Sequence, residues 1–290
     1  MAIPAVDSAI GTYSGLCSRF PFIGPDWLST TTPGPVTPQL RLATTVQDLI
    51  FSNASVWFVT RDEAGYVNDA VRVHPTRWSL DENGNVLIDS KPIDQNSIIF
   101  FSGLKPQGFL VAGRTSVRHA AALERTILNR AHTPEPMTII AETQAQEAEP
   151  EEVDSLLEDT RNARQNDNGG IVYVPYGLEV KPYGSVDNAS QMLIQARMAV
   201  RTDLANHLNL SAAMVDGLVG NSDVYSNALQ SKSELLELSL KLFTEPIADR
   251  LSQDDVTPPG VKVSFDYSSY EVTEDAKGNI GTAVESPLND

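Results

Sequence analysis

Asp187-Asn188-Ala189-Ser190-Gln191-Met192-Leu193-Ile194-Gln195-Ala196-Arg197 opens the stretch, residues 185–251, whose reading decides the fold. Apolar residues at Met192, Ala196, Ala199, Val200, Leu204 and Leu208 recur at three- and four-residue steps, which predicts a helix with Asp187 as its N-cap. A second helix is predicted from about Asn227, carried by Leu229, Leu235, Leu236, Leu238, Leu240, Leu242, Phe243, Ile247 and Leu251. Pro246 lies inside it, removes a hydrogen bond and crowds the preceding turn, so a kink is expected around 242–246. At 1.5 Å per residue the two helices would run roughly 33 and 37 Å, enough to span an ordinary domain. Between them, residues 209–226 combine small residues and glycines with the apolar set Leu210, Met214, Val215 and Leu218. A plain linker would be more polar, so this is read as a functional loop or binding lip.

The rest of the chain is read outward from there. Residues 6–16 predict a helix that stops before Pro21, residues 29–38 an extended connector, and residues 40–52 a helix through Leu42, Val46, Leu49 and Ile50. Strands are predicted at 54–60, 66–73, 77–80, 86–88 and 97–101, with Asp81-Glu82-Asn83-Gly84-Asn85 as a turn. Residues 114–130 predict a third long helix. Beyond it come a strand at 137–140, a helix around Val153, Leu156 and Leu157, and strands at 171–174 and 178–180. One more strand is expected at 261–267, followed by a polar, disordered tail. The fold class is therefore α+β.

With 290 residues and 41% hydrophobic content, the chain can bury a core. Its 21 basic and 38 acidic residues give a net charge of −17, which argues against a DNA grip built from Lys and Arg. The one cysteine, Cys17, excludes an intrachain disulfide and is expected to be buried. There is no secretion signal and no run of apolar residues long enough to span a membrane, so a cytosolic compartment is expected.

No residue pattern announces an enzyme. Phosphate loops, nucleophile elbows and dinucleotide fingerprints are absent, and His74, His119, His132 and His207 lack metal-ligand spacing. Glu179-Val180-Lys181 on a strand is the one spacing compatible with a metal-dependent nuclease, and it would need a second carboxylate such as Asp167. The densest charge block, residues 142–159, holds eight acids and no base. It reads as a solvated helix face or as a docking surface for a basic partner, with Glu147, Glu149, Glu151, Glu152 and Asp154 at its centre. Arg114, Arg118, Arg125 and Arg130 on one helix, and Arg197, Arg201 and Asp203 on another, read as surface or subunit-contact charges.

The order of these parts resembles the portal proteins of tailed bacteriophages, of the HK97-like type. The resemblance rests on Ile98-x-x-Phe101 with Ser102-Gly103 before a long helix, a strand-helix-strand insert, and the run 201–251. Within that run it is carried by Leu204-Ala205-Asn206-His207-Leu208-Asn209-Leu210, Tyr225-Ser226-Asn227 and Leu242-Phe243-Thr244-Glu245-Pro246-Ile247. Residues 57–67 are similar to the family's wing strand and turn. The resemblance implies a wing (1–112), two stem helices (113–130 and 183–208), a clip (131–182), a tunnel loop (209–226), a kinked channel helix (227–251), and a wing strand with polar tail (252–290) in place of most of a crown.

It further implies a homo-oligomeric ring, usually of twelve subunits, at one capsid vertex, through which double-stranded DNA passes without sequence preference. The ring would assemble in the host cytoplasm with the major capsid protein and scaffold, and reside in the virion. It would dock the terminase large subunit and then the head-tail adaptor on the clip, and need no cofactor. A metal-dependent DNA-processing enzyme and an adaptor without a channel are the competing readings.

Overall fold

A computed structural model of the chain describes residues 3–30, 34–132, 137–142, 150–165, 174, 178–183, 186–211 and 232–270. The chain divides into two compact units, one of residues 115–204 and one joining residues 2–114 to 205–290.

The larger unit begins with α1 (Pro4–Cys17) and α2 (Pro38–Ser52). The second starts two residues before the apolar periodicity does, because the Thr37 hydroxyl accepts the Leu40 N–H as N-cap and Pro38 fits the first helical turn. It stops at Asn53 in the left-handed region, φ 59°. Strands β2 (Ala54–Arg61), β3 (Val67–Val73) and β7 (Ile98–Ser102) form an antiparallel sheet of order β3-β2-β7, with Trp57 opposite Arg72 on one side and Ile99 on the other. A second small sheet is built from β4 (Trp78–Leu80), β5 (Val86–Ile88) and β6 (Lys91–Pro92). Its hairpin is the predicted turn: the Asp81 carboxylate accepts the N–H groups of Asn83 and Asn85, and Gly84 takes a positive φ of 82°.

Alternation along β2 sends Ser55, Trp57 and Val59 one way, and Val56 and Phe58 the other. On the second face Val56, Val73, Val86 and Ile98 form a buried cluster covered by Trp78, Ile88 and Phe100. The first face meets α2 through polar groups that apolar periodicity does not reveal. Arg41, Thr45 and Asp48 are buried at helical spacing. The Arg41 guanidinium donates to the carbonyls of Ala70 (2.7 Å) and Leu28 (2.9 Å) and lies over the rings of Trp27 and Trp57. Burial pulls its pKa down to about 10. Thr45 accepts the Trp57 indole N–H at 2.8 Å, while Asp48 accepts from Ser55 (2.7 Å) and pairs with the Arg72 guanidinium. The buried charges thus enter the interior with carbonyl, hydroxyl and guanidinium partners beside them, although the Arg41 Nε has none.

The C-terminal part of this unit is a helix that departs from α geometry. A π-helical turn occupies Leu236–Leu240, with the Lys241 N–H reaching the Leu236 carbonyl, and α7 follows over Lys241–Leu251. The sequence places the irregularity at 242–246, around Pro246. In the structure the departure from α geometry lies upstream of that stretch, and Pro246 sits inside the regular α-helix. The expected strand at 261–267 shrinks to β10 (Ser264–Phe265), which pairs antiparallel with β1 (Phe22–Ile23) and stacks Phe22 on Phe265 at 4.5 Å. The free thiol of Cys17 is fully buried, and its pKa is raised to about 12 by desolvation.

The smaller unit holds α4 (Arg114–His132, from Thr115 onward), the antiparallel pair β8 (Met137–Glu142) and β9 (Leu178–Tyr183), α5 (Pro150–Gln165), and α6 (Val186–Leu208) up to Leu204. Helix α6 starts before Asp187, so that residue lies in the first turn, one position inside the expected cap. Its covered face carries Leu193, Arg197, Val200 and Leu204, whereas Met192, Ala196 and Ala199 of the predicted stripe are exposed. Apolar residues occur almost all round this helix, so periodicity alone does not select the side that packs. Arg197 leaves its own helix and pairs with Glu124 of α4, Nε to Oε1 2.8 Å. The strand expected at 171–174 lies outside the described residues except for Val174, which has no regular structure.

Candidate functional site

The expected functional loop follows the C-terminus of α6; the structure describes residues 209–211 there and takes the chain up again at Lys232, one helical turn before the π-helical stretch, both within the larger unit. Asn209 adopts φ 61°, the left-handed conformation that ends a helix and that asparagine tolerates better than most residues. The Asn209 N–H reaches the Asn206 carbonyl (3.1 Å) and the Leu210 N–H reaches that of Ala205 (3.0 Å). These paired bonds make a Schellman cap, which characteristically closes with a hydrophobic contact from the residue after the left-handed one. Leu210 is that residue, and it is 6% exposed. Leu210, expected among the apolar residues that make the loop a binding lip, is instead buried in the helix stop. Asparagine followed by leucine directly after a helical period is the signal that marks it.

The last carbonyls of a helix have no partner within it. Here three side chains take them in succession. The Lys105 ammonium donates to the His207 carbonyl at 2.8 Å, the Tyr13 hydroxyl to that of Leu208 at 2.5 Å, and the Ser239 hydroxyl to that of Asn209 at 2.6 Å. The Asn209 side-chain amide returns the contact by donating to the Leu238 carbonyl, inside the π turn, at 2.7 Å. Tyr13 also sets its ring edge-on to Phe243 at 5.1 Å. Burial raises the pKa of Tyr13 and lowers that of Lys105, since desolvation opposes the charged form of each. Helix α1, the loop before α3 (Phe109–Ala112), the end of α6 and the π turn are thereby fastened at one corner.

Two cavities flank it. One, of about 280 Å³, is lined by Ile50, Lys105, Phe109, His207 and Phe243. The other, of about 340 Å³, lies between Asn206, Leu210 and Ser211 on one side and Glu234, Leu235 and Leu238 on the other.

The remaining expected residues are distributed as follows. Met214, Val215 and Leu218 lie outside the described residues, as do Glu147 and Glu149. Glu151 and Asp154 are exposed on α5, and Glu152 is on the same helix. Glu179 and Lys181 are on β9, opposite Ala141 and Ile139, while Asp167 is outside the described residues. Among the described residues no group of three or more His, Cys, Asp or Glu is placed to hold a metal ion, and no helix is long and apolar enough to cross a membrane.

Comparison with known proteins gives a consistent picture. The profile of a family described as "Phage portal protein" matches residues 36–285. The crystal structure of an HK97 family phage portal protein from Corynebacterium diphtheriae is similar at 26% identity and a TM-score of 0.76, covering 92% of this chain and 93% of that one. The fold also resembles a chain of the virion of a native gene transfer agent particle, at 15% identity and a TM-score of 0.66, with 92% and 81% covered. A chain in the neck of that native particle, computed with C12 symmetry, matches at 12% identity and a TM-score of 0.65 over the same shares. Among curated proteins none matches.

Proposed function

The chain belongs to the phage portal protein family, and on that premise we propose that it is one subunit of a ring that forms the channel at a capsid vertex for genome packaging and ejection. The observation that carries this reading is the family match over residues 36–285, reinforced by a relative of known structure that aligns along nearly the whole of both chains. In the proposed assignment residues 1–112 form the wing together with the strand after residue 251, and residues 113–130 and 183–208 form the stem. Residues 131–182 form the clip, 209–226 the tunnel loop, and 227–251 the channel helix. The fastened corner then has a mechanical role. It ties the start of a loop that works against a moving polymer to the channel helix that follows it, so that force on the loop is taken up by α1, α6 and the channel helix together.

The ring is proposed to contain twelve subunits, the rotational order of the neck of the similar gene transfer agent particle. Net charge −17 suits a passage for a polyanion, because an acidic wall weakens phosphate contacts. The exposed acids Glu151 and Asp154, with Glu147, Glu149 and Glu152, are proposed to dock the terminase large subunit and later the head-tail adaptor. Major capsid protein and scaffold are the proposed assembly partners in the host cytoplasm. The role is structural, with no reaction catalysed.

Light scattering of the purified protein combined with negative-stain electron microscopy of the same fraction tests the central claim. Twelve subunits of 31.5 kDa give a particle of about 378 kDa with a central hole. A monomer or dimer that stays so when co-expressed with its capsid protein and scaffold overturns the reading.

A further inference from the structure

One cation in the larger unit lacks a counter-charge. The Lys105 side chain is half-buried, and its ammonium donates one N–H to the His207 carbonyl at 2.8 Å. Among the described residues no carboxylate pairs with it, and burial lowers its pKa with no anion to offset the lost solvent. A charge taken partly out of water without an opposite charge is costly. Capping a carbonyl needs only a neutral donor, so the contact with His207 does not account for the charge. Lys105 also lines the cavity of about 280 Å³ beside the corner. Its other walls are chiefly apolar, with Ile50, Phe109, Leu208 and Phe243 all buried and Ala112 at the rim. These walls are fixed in advance. A Cβ on Gly113 would lie 2.5 Å from the Phe109 ring, so the end of α3 presses directly on that side chain, and Tyr13 stands edge-on to Phe243 at 5.1 Å.

We infer that this cavity is a binding site for a small monocarboxylate with an apolar body. The carboxylate accepts from the Lys105 ammonium, and the hydrocarbon fills the space between Phe109, Leu208 and Phe243. Charge selects the head group. A lone ammonium neutralises one carboxylate, whereas a phosphate monoester brings about two negative charges, more than the site can match among apolar walls. Volume limits the body. At about 30 Å³ per water-sized group the cavity takes roughly nine or ten non-hydrogen atoms, the size of octanoate and far too little for a nucleic-acid strand or a folded partner. Occupancy acts on the loop through one bond: Lys105 holds the carbonyl two residues before the left-handed stop at Asn209, so a carboxylate that fixes the ammonium steadies the helix end from which the loop departs.

Calorimetric titration of the whole chain with sodium octanoate tests it. Octanoate should bind saturably, one per chain, with a Kd on the order of 0.1 mM, and raise the melting temperature. Octanol, which has the same tail and no charge, should bind about tenfold or more weakly. Lys105→Gln keeps a donor for the His207 carbonyl while removing the charge, and should weaken octanoate about tenfold or more with octanol unchanged. Ala112→Phe, at an exposed position on the rim, leaves Lys105 in place and should exclude both ligands; it decides the question if Lys105→Gln fails to fold. An octanoate signal that does not saturate, that octanol matches, or that survives either substitution overturns the inference. Each of these results leaves the ring reading untouched, since the cavity is built within one chain and ring formation is scored by mass.

Discussion

Individual residues in the larger unit are held by contacts that permit little substitution. An added Cβ on Gly108 would lie 2.3 Å from the Phe51 carbonyl oxygen, a backbone atom at the end of α2. Gly108→Ala should therefore destabilise the unit by about 2 kcal/mol or more, read as a lower urea midpoint. Asp48 holds both Ser55 and Arg72, so Asp48→Ala strands a largely buried guanidinium, at a cost of about 3 kcal/mol. A double variant with Arg72→Met should recover part of that loss, and a double-mutant cycle by denaturant melts measures it. At the surface, Arg250 clasps Asp255 with bonds of 2.9 and 2.8 Å, and its guanidinium holds the Asp255 carboxyl below the ordinary value of 3.8. A depressed folded-state pKa contributes stability above the ordinary value and loses it as pH falls through the folded one. The stability gap between wild type and Asp255→Asn should accordingly be present at neutral pH and close in that acid window.

Among the elements, the corner at the end of α6 makes the sharpest predictions. Tyr13→Phe leaves the Leu208 carbonyl without its donor and should cost about 1–2 kcal/mol. Asn209→Gly keeps the left-handed conformation but loses the amide bond to the π turn, whereas Asn209→Ala loses both and should be the less stable variant by thermal melt. The strands at 54–60, 66–73 and 86–88 and the Asp81 turn were legible because alternation and turn chemistry are local signals. The covered side of α6 was not, since a helix apolar on several sides has no single stripe to read. The buried trio Arg41, Thr45 and Asp48 escaped for the opposite reason: a search for apolar spacing passes over polar residues that carry their partners with them. Leu210 was legible as apolar but not as buried, because its role belongs to the cap geometry. The π turn meets Asn209, 30 residues from Ser239, through two hydrogen bonds, a long-range contact that no local sequence signal announces.

At the scale of the whole molecule, the loop and its anchor should respond differently to the same chemistry. Met214→Ser, Val215→Ser and Leu218→Ser together should impair genome packaging while rings of normal mass still form, scored by counting filled heads. Leu210→Ser alone should lower subunit stability by about 2–4 kcal/mol and reduce ring yield. Filled heads from the triple variant would remove the loop from the mechanism. The pairing of β1 with β10 has a further consequence, for how the subunit is made. Ile23 meets Ser264 only after some 240 further residues have been synthesised, roughly 10–50 seconds of translation. Until then Phe22 has no Phe265 to stack on, and α1 has no corner to close. The larger unit therefore completes its fold only once Phe265 has been made, and a nascent chain cut short before Phe265 leaves its first strand as an open edge for aggregation.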